Sequence, residues 1–194
     1  MKRIDIMVDL ETLGKSSESP IIQLGAVVFD IWTGTTLARF NDYAALTEKT
    51  IVDGTTLKWW LDADRELLAE TLRKGVMSEK ELITEFVHFI EENAWDPDQP
   101  KQVYLWGNGI LFDNRFIKDK CERYGLIYPI HYRNDRDVKT IVEVYCIKKH
   151  VDYDTVKYQD RSLIEHDALN DCLEQVRVVS KCFRDLIGEN YDLY

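Results

Sequence analysis

Long hydrophobic segments are missing from this sequence of 194 residues. No stretch approaches the roughly 18 to 20 consecutive apolar residues that a membrane-spanning helix requires. The first residues, Met1 to Arg3, lead directly into a strand-like segment without the apolar region of a secretory signal peptide. We therefore expect a soluble, cytoplasmic protein that does not associate with membranes.

Closely spaced cysteines are also missing. The four cysteines occur singly, without a CxxC pair, so the sequence offers none of the usual cysteine-based zinc sites. At least three of them fall on helix-like apolar stripes, where a free thiol packs as a small hydrophobic group. We expect reduced, buried thiols at Cys121, Cys146, Cys172 and Cys182.

Positive charge is scarce, because 25 lysines and arginines are set against 35 aspartates and glutamates, for a formal net charge of −10. Proteins that bind nucleic acid nonspecifically usually present a basic face that replaces the counterions of the phosphates. The charge therefore argues against a simple nucleic-acid-binding module. An acidic protein can still act on nucleic acid if its carboxylates bind divalent cations, since these cations then meet the phosphate.

Apolar residues make up 45% of the chain, and no repeat, low-complexity segment or linker divides it, so we predict a single domain over residues 1–194. Alternation of apolar residues and turn signals predicts a meander of three antiparallel strands, followed by alternating helices and strands. This order indicates an α/β fold with a mixed sheet packed against helices. The predicted strands are 4–10, 21–29, 35–43, 102–106 and 129–133, and the predicted helices lie within 55–94 and at 113–124, 138–149 and 166–187.

Two carboxylates end the first predicted strand. Asp9 and Glu11 are two residues apart, so both side chains project from the same face of the strand. Two acids on one face can share a metal ion. The alternative is that Glu11 belongs to a solvated turn that ends at Gly14.

Further acidic side chains open two of the predicted helices. Asp113 follows the fourth strand, where open α/β sheets place functional residues, but it could equally serve as a helix N-cap. His166 lies just before the last helix and Asp171 lies one to two turns into it, beside the buried stripe, and packing requires neither of them. The alternative here makes Asp167 the N-cap, Asp171 a favourable charge near the helix N-terminus and His166 a loop residue.

These segments together resemble the three exonuclease motifs of the DnaQ-like DEDDh superfamily. The resemblance is carried by Asp9-Leu-Glu-Thr, by the segment 107–116 with Asp113, and by H-x-A-x-x-D from His166 to Asp171, in the order of the family. Segments 21–26, 56–60, 136–140 and 165–172 are similar to phage exonuclease A and to related bacterial 3′-to-5′ exoribonucleases.

The resemblance implies an RNase H-like fold, with three antiparallel strands and then parallel strands flanked by helices, and a 3′-to-5′ exonuclease that releases nucleoside 5′-monophosphates. It implies that Asp9, Glu11, Asp113 and Asp171 hold two Mg²⁺ or Mn²⁺ ions and that His166 is the general base. The expected partners are 3′ ends of single-stranded DNA or RNA, contacted by Thr12 and Leu13, and relatives of this kind are often homodimers.

Two adjacent tryptophans, Trp59 and Trp60, follow on one predicted helix. Adjacent helix residues face different directions, so at most one of them is expected in the core, and Trp60 is the better candidate. Trp59 is then free to stack on a base of the substrate.

Two other functions would explain part of the pattern. A phosphohydrolase with Asp9 as its nucleophile would form a covalent aspartyl-phosphate, although that class resembles D-x-D whereas this chain has Glu11. An adaptor that kept the fold without catalysis would show no loss of cation affinity on Asp9→Ala or Asp171→Ala.

Overall fold

The computed structural model of the chain describes residues 3–95, 102–156 and 165–188. One five-stranded sheet, covered by helices on both faces, forms the centre of the molecule. The strands are β1 (Arg3–Thr12), β2 (Ile21–Phe29), β3 (Thr36–Tyr43), β4 (Gln102–Gly107) and β5 (Asp135–Asp137). The α-helices are α1 (Gly54–Ala63), α2 (Arg65–Lys74), α3 (Glu79–Ala94), α4 (Asp113–Tyr124), α5 (Val138–Lys149) and α6 (Ala168–Ile187).

The strand order is β3-β2-β1-β4-β5. The first three strands pair antiparallel, whereas β4 pairs parallel with β1 and β5 parallel with β4. The predicted mixed sheet, with three antiparallel strands followed by parallel ones, is confirmed. The central strand β1 lies between β2 and β4 and runs parallel to β4. The carboxyl ends of β1 and β4 therefore lie side by side.

Alternate residues of β1 face two different cores. Ile6 and Val8 pack toward α3 and α4, in a cluster that includes Phe86 and Phe116. On the opposite face, Met7 packs with the apolar stripe of α6 and with residues of α5. Because side chains repeat every second residue along a strand, Asp9 and Glu11 share the face of Met7 and point toward α6.

The last helix follows the predicted stripe closely. Ala168, Cys172, Val176 and Val179 are buried along one side of α6 and pack on β2 and β1. This stripe anchors the N-terminal turn of α6 over the sheet, next to the end of β1.

The fifth strand was predicted at 129–133, and this prediction is wrong. That segment consists of turns and bends, and Ile130 is buried in the core only as an anchor of the loop. The strand forms at Asp135–Asp137, where the side-chain amide of buried Asn134 donates to the carbonyl of Val103 at 2.9 Å. Tertiary pairing with β4 therefore overrides the low strand propensity of this charged segment.

All four cysteines are free, and Cys121, Cys172 and Cys182 are buried while Cys146 is half-buried. No two cysteines pair with each other, and the predicted burial is confirmed for three of the four thiols. Among the described residues, no helix combines the length and apolar character that crossing a membrane would demand.

Candidate active site

The two acids of β1 lie deep in the fold. Asp9 and Glu11 pair across the sheet with Gly25 and Gln23 of β2, and Glu11 is only 8% exposed. A residue of a solvated turn would be far more accessible, so the alternative for Glu11 is excluded. Both carboxylates instead face the start of α6.

Asp113 reaches the same place from the neighbouring strand. It is the first residue of α4, and the N-cap is Phe112, so the capping alternative does not describe Asp113. Backbone N–H groups near its carboxylate, including those of Leu10 and Asn108, lower its pKa and partly oppose the effect of burial. A Cβ at Gly107 would lie 2.4 Å from Oδ1 of Asn114 and 3.2 Å from Cβ of Asp113, so a larger residue there would displace the side chains at the start of α4.

A second glycine allows α6 to approach the sheet. A Cβ at Gly25 would lie 2.4 Å from the backbone carbonyl carbon of Ala168 and 2.5 Å from the amide nitrogen of Leu169. The thiol of Cys172 donates to the carbonyl of Gly25 at 3.3 Å. This close contact brings Asp171 beside the two acids of β1.

The start of α6 is fixed by Gln23, which is fully buried. Its Nε2 donates to Oδ2 of Asp167 at 3.0 Å, and its Oε1 accepts the N–H of Ala168 at 3.3 Å. Asp167 is the N-cap, since its Oδ1 accepts from the N–H of Asn170. The predicted capping role of Asp167 is confirmed, and it leaves the carboxylate of Asp171 available.

His166 has a left-handed backbone conformation with φ of +63°. Such a conformation costs about 1 kcal/mol or more in a residue with a Cβ, and it is concentrated at functional sites. Ligand atoms of Glu11, His166 and Asp171 all lie within 4.8 Å of one another. The imidazole also meets the edge of the Trp59 ring, with 5.0 Å between centroids.

Burial raises the pKa of all four carboxylates, and repulsion from other members of the cluster raises the pKa of Asp9 and Glu11 further. Burial, followed by the charges of Asp113, Glu11 and Asp171, holds the pKa of Asp9 well above its usual range. Burial likewise raises the pKa of Glu11, and every charge that acts on it raises it further. Burial raises the pKa of Asp113 to about 7 and that of Asp171 to about 6, although His166 opposes the latter shift.

Such a cluster is costly without positive charge, because several buried carboxylates repel one another. Clustered carboxylate oxygens are also the ligands that Mg²⁺ and Mn²⁺ prefer. The donor set of this site therefore fits a divalent cation.

Gln175 completes the cluster and was missed from the sequence. Its Nε2 donates to Oδ1 of Asp9 at 2.9 Å, and the residue is 9% exposed. It lies four residues after Asp171 and hence on the same face of α6. The sequence did contain a signal for Gln175, because it is a polar residue beside an apolar helical stripe. Gln23 gave a similar signal, because it is a polar residue within the apolar strand β2.

A pocket of about 510 Å³ opens beside Glu11. Trp59 is 46% exposed at its wall, whereas Trp60 is 1% exposed and donates through Nε1 to the carbonyl of Thr12 at 3.1 Å. The prediction that Trp60 belongs to the core is confirmed. Thr12 lines the pocket, although its hydroxyl donates to the carbonyl of Gly14.

Leu13 does not line this pocket. Its side chain packs with Ile22 and Trp60, its N–H donates to Pro20, and its carbonyl accepts from Asp53. The side chain and both backbone polar groups are thus engaged within the protein. The sequence grouped Leu13 with Thr12, whereas the structure separates them.

The sequence model of the 3′-5′ exoribonuclease Rv2179c-like domain matches residues 4–183. The chain belongs to this family. The protein is accordingly a 3′-5′ exonuclease with the DEDDh exonuclease fold, a class that uses divalent metal ions.

Solved structures of DEDDh nucleases share the fold at low sequence identity. The nuclease domain of 3′hExo, a DEDDh family member bound to rAMP, matches with a TM-score of 0.63 and 13% identity over 95% of this chain and 93% of its own. A 3′-exonuclease that recognises the 3′ end of histone mRNA stem-loop matches with 0.60 and 11% over 95% and 83%. Exonuclease I from Methylocaldum szegediense matches with 0.64 and 13% over 95% and 43%. No curated protein sequence matches the chain.

Proposed function

We propose that the protein removes nucleoside 5′-monophosphates one at a time from the 3′ ends of single-stranded nucleic acid, with RNA preferred over DNA. The observation that carries this proposal is the convergence of Asp9, Glu11, Asp113 and Asp171, from one strand and two helices, into one buried cluster. The family description as an exoribonuclease favours RNA.

Asp9, Glu11 and Asp171 would hold one Mg²⁺ or Mn²⁺, and Asp9 together with Asp113 would support a second. When bound, the ions supply the positive charge that activates water and stabilises the phosphate during cleavage. Gln175 donates to one oxygen of Asp9 and so fixes the direction of the other oxygen. The cap at Asp167, held by Gln23, keeps Asp171 in place.

His166 is the proposed general base. Imidazole exchanges protons near neutral pH, so it can take the proton of the attacking water and release it again. Edge contacts with Trp59 and Trp60 and the left-handed backbone restrict the orientation of the ring. Substitution by asparagine, which tolerates a left-handed backbone, should lower kcat by about 10²- to 10⁴-fold without unfolding the protein.

The pocket beside Glu11 would receive the 3′-terminal nucleoside. Trp59 offers a partly exposed indole on which the terminal base can stack, and Thr12 lies at the same wall. The structure of 3′hExo with rAMP is a precedent for a nucleotide bound by a protein of this fold. Leu13 would act only by positioning Thr12, because its own groups are engaged in the core.

Three broader predictions accompany this function. A single exonuclease domain over residues 1–194 and a cytoplasmic location are inferred from the composition of the sequence, whereas a homodimer is inferred from the resemblance to related exonucleases. Within the described ranges, β1 and α6 share one core cluster although they are distant in sequence, which supports the single domain. Sedimentation of the purified protein tests the homodimer.

The test uses 5′-labelled RNA and DNA of identical sequence with Mg²⁺, comparing wild type with Asp9→Asn and with the exposed control Asp62→Asn. A ladder that shortens one nucleotide at a time, is faster on RNA, and disappears only in Asp9→Asn supports the proposal. Equal or faster cleavage of DNA contradicts the RNA preference. Intact metal binding without a ladder on either strand would favour the adaptor, and a trapped aspartyl-phosphate on Asp9 would favour the phosphohydrolase.

A further inference from the structure

A second, larger pocket adjoins the carboxylate cluster on its other side. It has a volume of about 880 Å³ and is lined by residues that include Asp9, Leu10, Phe112, Asp113 and Lys139. Leu10 and Phe112 also line the pocket beside Glu11, so the two pockets are neighbours that share part of their walls. Glu11 lines the first pocket, and Asp9 and Asp113 line the second, so the pockets lie on two sides of the carboxylate cluster.

Lys139 supplies positive charge to this second pocket. It is exposed in the first turn of α5 and acts on Asp113, whose pKa it lowers. Gly109 lies opposite, with φ of +137°, and a Cβ there would lie 3.6 Å from Nζ of Lys139. The ammonium group therefore lies against the loop that connects β4 to α4.

Lys139 forms no ion pair with the described residues of the protein, although its charge acts on Asp113. The nearby Asp137 is engaged elsewhere, since it caps α5 through Thr140 and accepts from the N–H of Ile110. Arg136 stacks over the ring of Tyr104, away from the pocket.

We propose that Lys139 binds the first phosphate upstream of the scissile bond and so guides the substrate strand out through the second pocket. This inference rests on the proposed function and adds the path of the strand. The protein has a formal net charge of −10. In this proposal a single lysine makes the phosphate contact that nonspecific nucleic-acid-binding proteins usually make with a basic face.

The direction of the strand follows from the chemistry of the two pockets. Indole rings line the pocket beside Glu11, and they suit the base of the terminal nucleoside. The scissile phosphate must lie at the carboxylate cluster, so the rest of the strand continues on the side of Asp113. There an ammonium group meets the backbone without reading the base, because a phosphate carries no sequence information.

Two short substrates separate this contact from cleavage itself. In ApA the only phosphate is the scissile one, whereas ApApA adds one phosphate upstream. We compare kcat/KM for both substrates in wild type, Lys139→Ala, Lys139→Arg, Lys15→Ala and Lys118→Ala. Lys15 lines the opposite pocket, and Lys118 is an exposed lysine of α4 that lines neither of them.

We expect Lys139→Ala to reduce the preference for ApApA over ApA by about fivefold to tenfold, as the loss of one charged hydrogen bond predicts. Lys139→Arg should largely restore the preference, and Lys118→Ala should leave it at the wild-type value. On longer RNA, the slope of log kcat/KM against log salt concentration should become less negative by about 0.7 in Lys139→Ala.

Equal losses on ApA and ApApA would overturn the proposal, because Lys139 would then act at the scissile phosphate or through Asp113. A reduced preference in Lys15→Ala instead would place the strand in the opposite direction. Binding of a phosphorothioate-linked oligoribonucleotide, measured by fluorescence anisotropy, tests the contact without turnover. If wild type binds this probe but cleaves no substrate, the proposed function fails. The inference about Lys139 is then still decided by the effect of Lys139→Ala on the affinity for the probe and on the salt dependence of that affinity.

Discussion

Replacing Asp113 by asparagine should stabilise the metal-free protein while abolishing its activity. The substitution keeps the shape of the side chain and removes one negative charge from the carboxylate cluster. The oxygen of the asparagine amide is still an acceptor that can face the nearby backbone N–H groups of Leu10 and Asn108. The main change is therefore the loss of a buried charge that its surroundings disfavour.

The size of the effect follows from the raised pKa of Asp113. Burial raises it from 3.8 to about 7, and each pKa unit corresponds to about 1.4 kcal/mol, so ionisation costs the fold up to about 4 kcal/mol. A carboxyl group with a raised pKa in the folded state stabilises the fold below its unfolded pKa, and this stability is lost as the pH rises toward the folded pKa. The gain from Asp113→Asn should therefore grow between about pH 4 and pH 7 and then level off.

Urea unfolding in EDTA, followed by tryptophan fluorescence, measures this gain at about pH 5 and about pH 8. Asp62→Asn, at an exposed position of α1, removes the same charge from the surface and should change the free energy of unfolding by less than about 0.5 kcal/mol. Added Mg²⁺ should stabilise wild type more than Asp113→Asn. A gain independent of pH, or a loss of stability at about pH 8, would refute the electrostatic account of the cluster.

Three further predictions follow from the geometry. Gly25→Ala should destabilise the protein by about 1 to 3 kcal/mol and reduce kcat strongly, because the added Cβ would push the start of α6 off the sheet. Thermal unfolding and steady-state kinetics measure these effects, and a fully active, stable variant would contradict the close packing. Trp59→Ala should raise KM by about fivefold or more with little change in melting temperature, because Trp59 is half exposed. Trp60→Ala should destabilise the fold by about 3 to 5 kcal/mol, because Trp60 is buried. Comparable losses of stability in both variants would contradict this difference in burial. The increase in melting temperature caused by Mg²⁺ should be larger at about pH 8 than at about pH 5, because protons compete with the cation for Glu11 and its neighbours. Calorimetry at the two pH values measures this increase, and equal increases would argue against carboxylate ligation of the cation.

The sequence predicts the parts of the site that depend on periodic structure. A strand repeat of two residues puts Asp9 and Glu11 on one face, and the helical repeat orders the stripe of α6 beside Asp171. The structure confirms both patterns. It also confirms the mixed sheet. The three antiparallel strands and the later βα units could be predicted because each has its own apolar pattern and turn residues.

The remaining features depend on contacts between distant segments. The fifth strand forms through Asn134 and β4 rather than through its own strand propensity, so a local pattern misplaced it at 129–133. Gln175 becomes part of the site only because α6 lies across β1, at a distance of 166 residues in sequence from Asp9. Leu13 follows Thr12 directly, yet the turn of the chain sends its side chain into the core.

The close approach of α6 to Gly25 also has a consequence for biosynthesis. The proposed ligands span the chain from Asp9 to Asp171, and the last one is held in place only when α6 docks on β2. A nascent chain that has not yet exposed α6 therefore has an incomplete cluster of acids. The nuclease would stay inactive beside the messenger RNA from which it is being translated, and activity would begin only after α6 has emerged and docked.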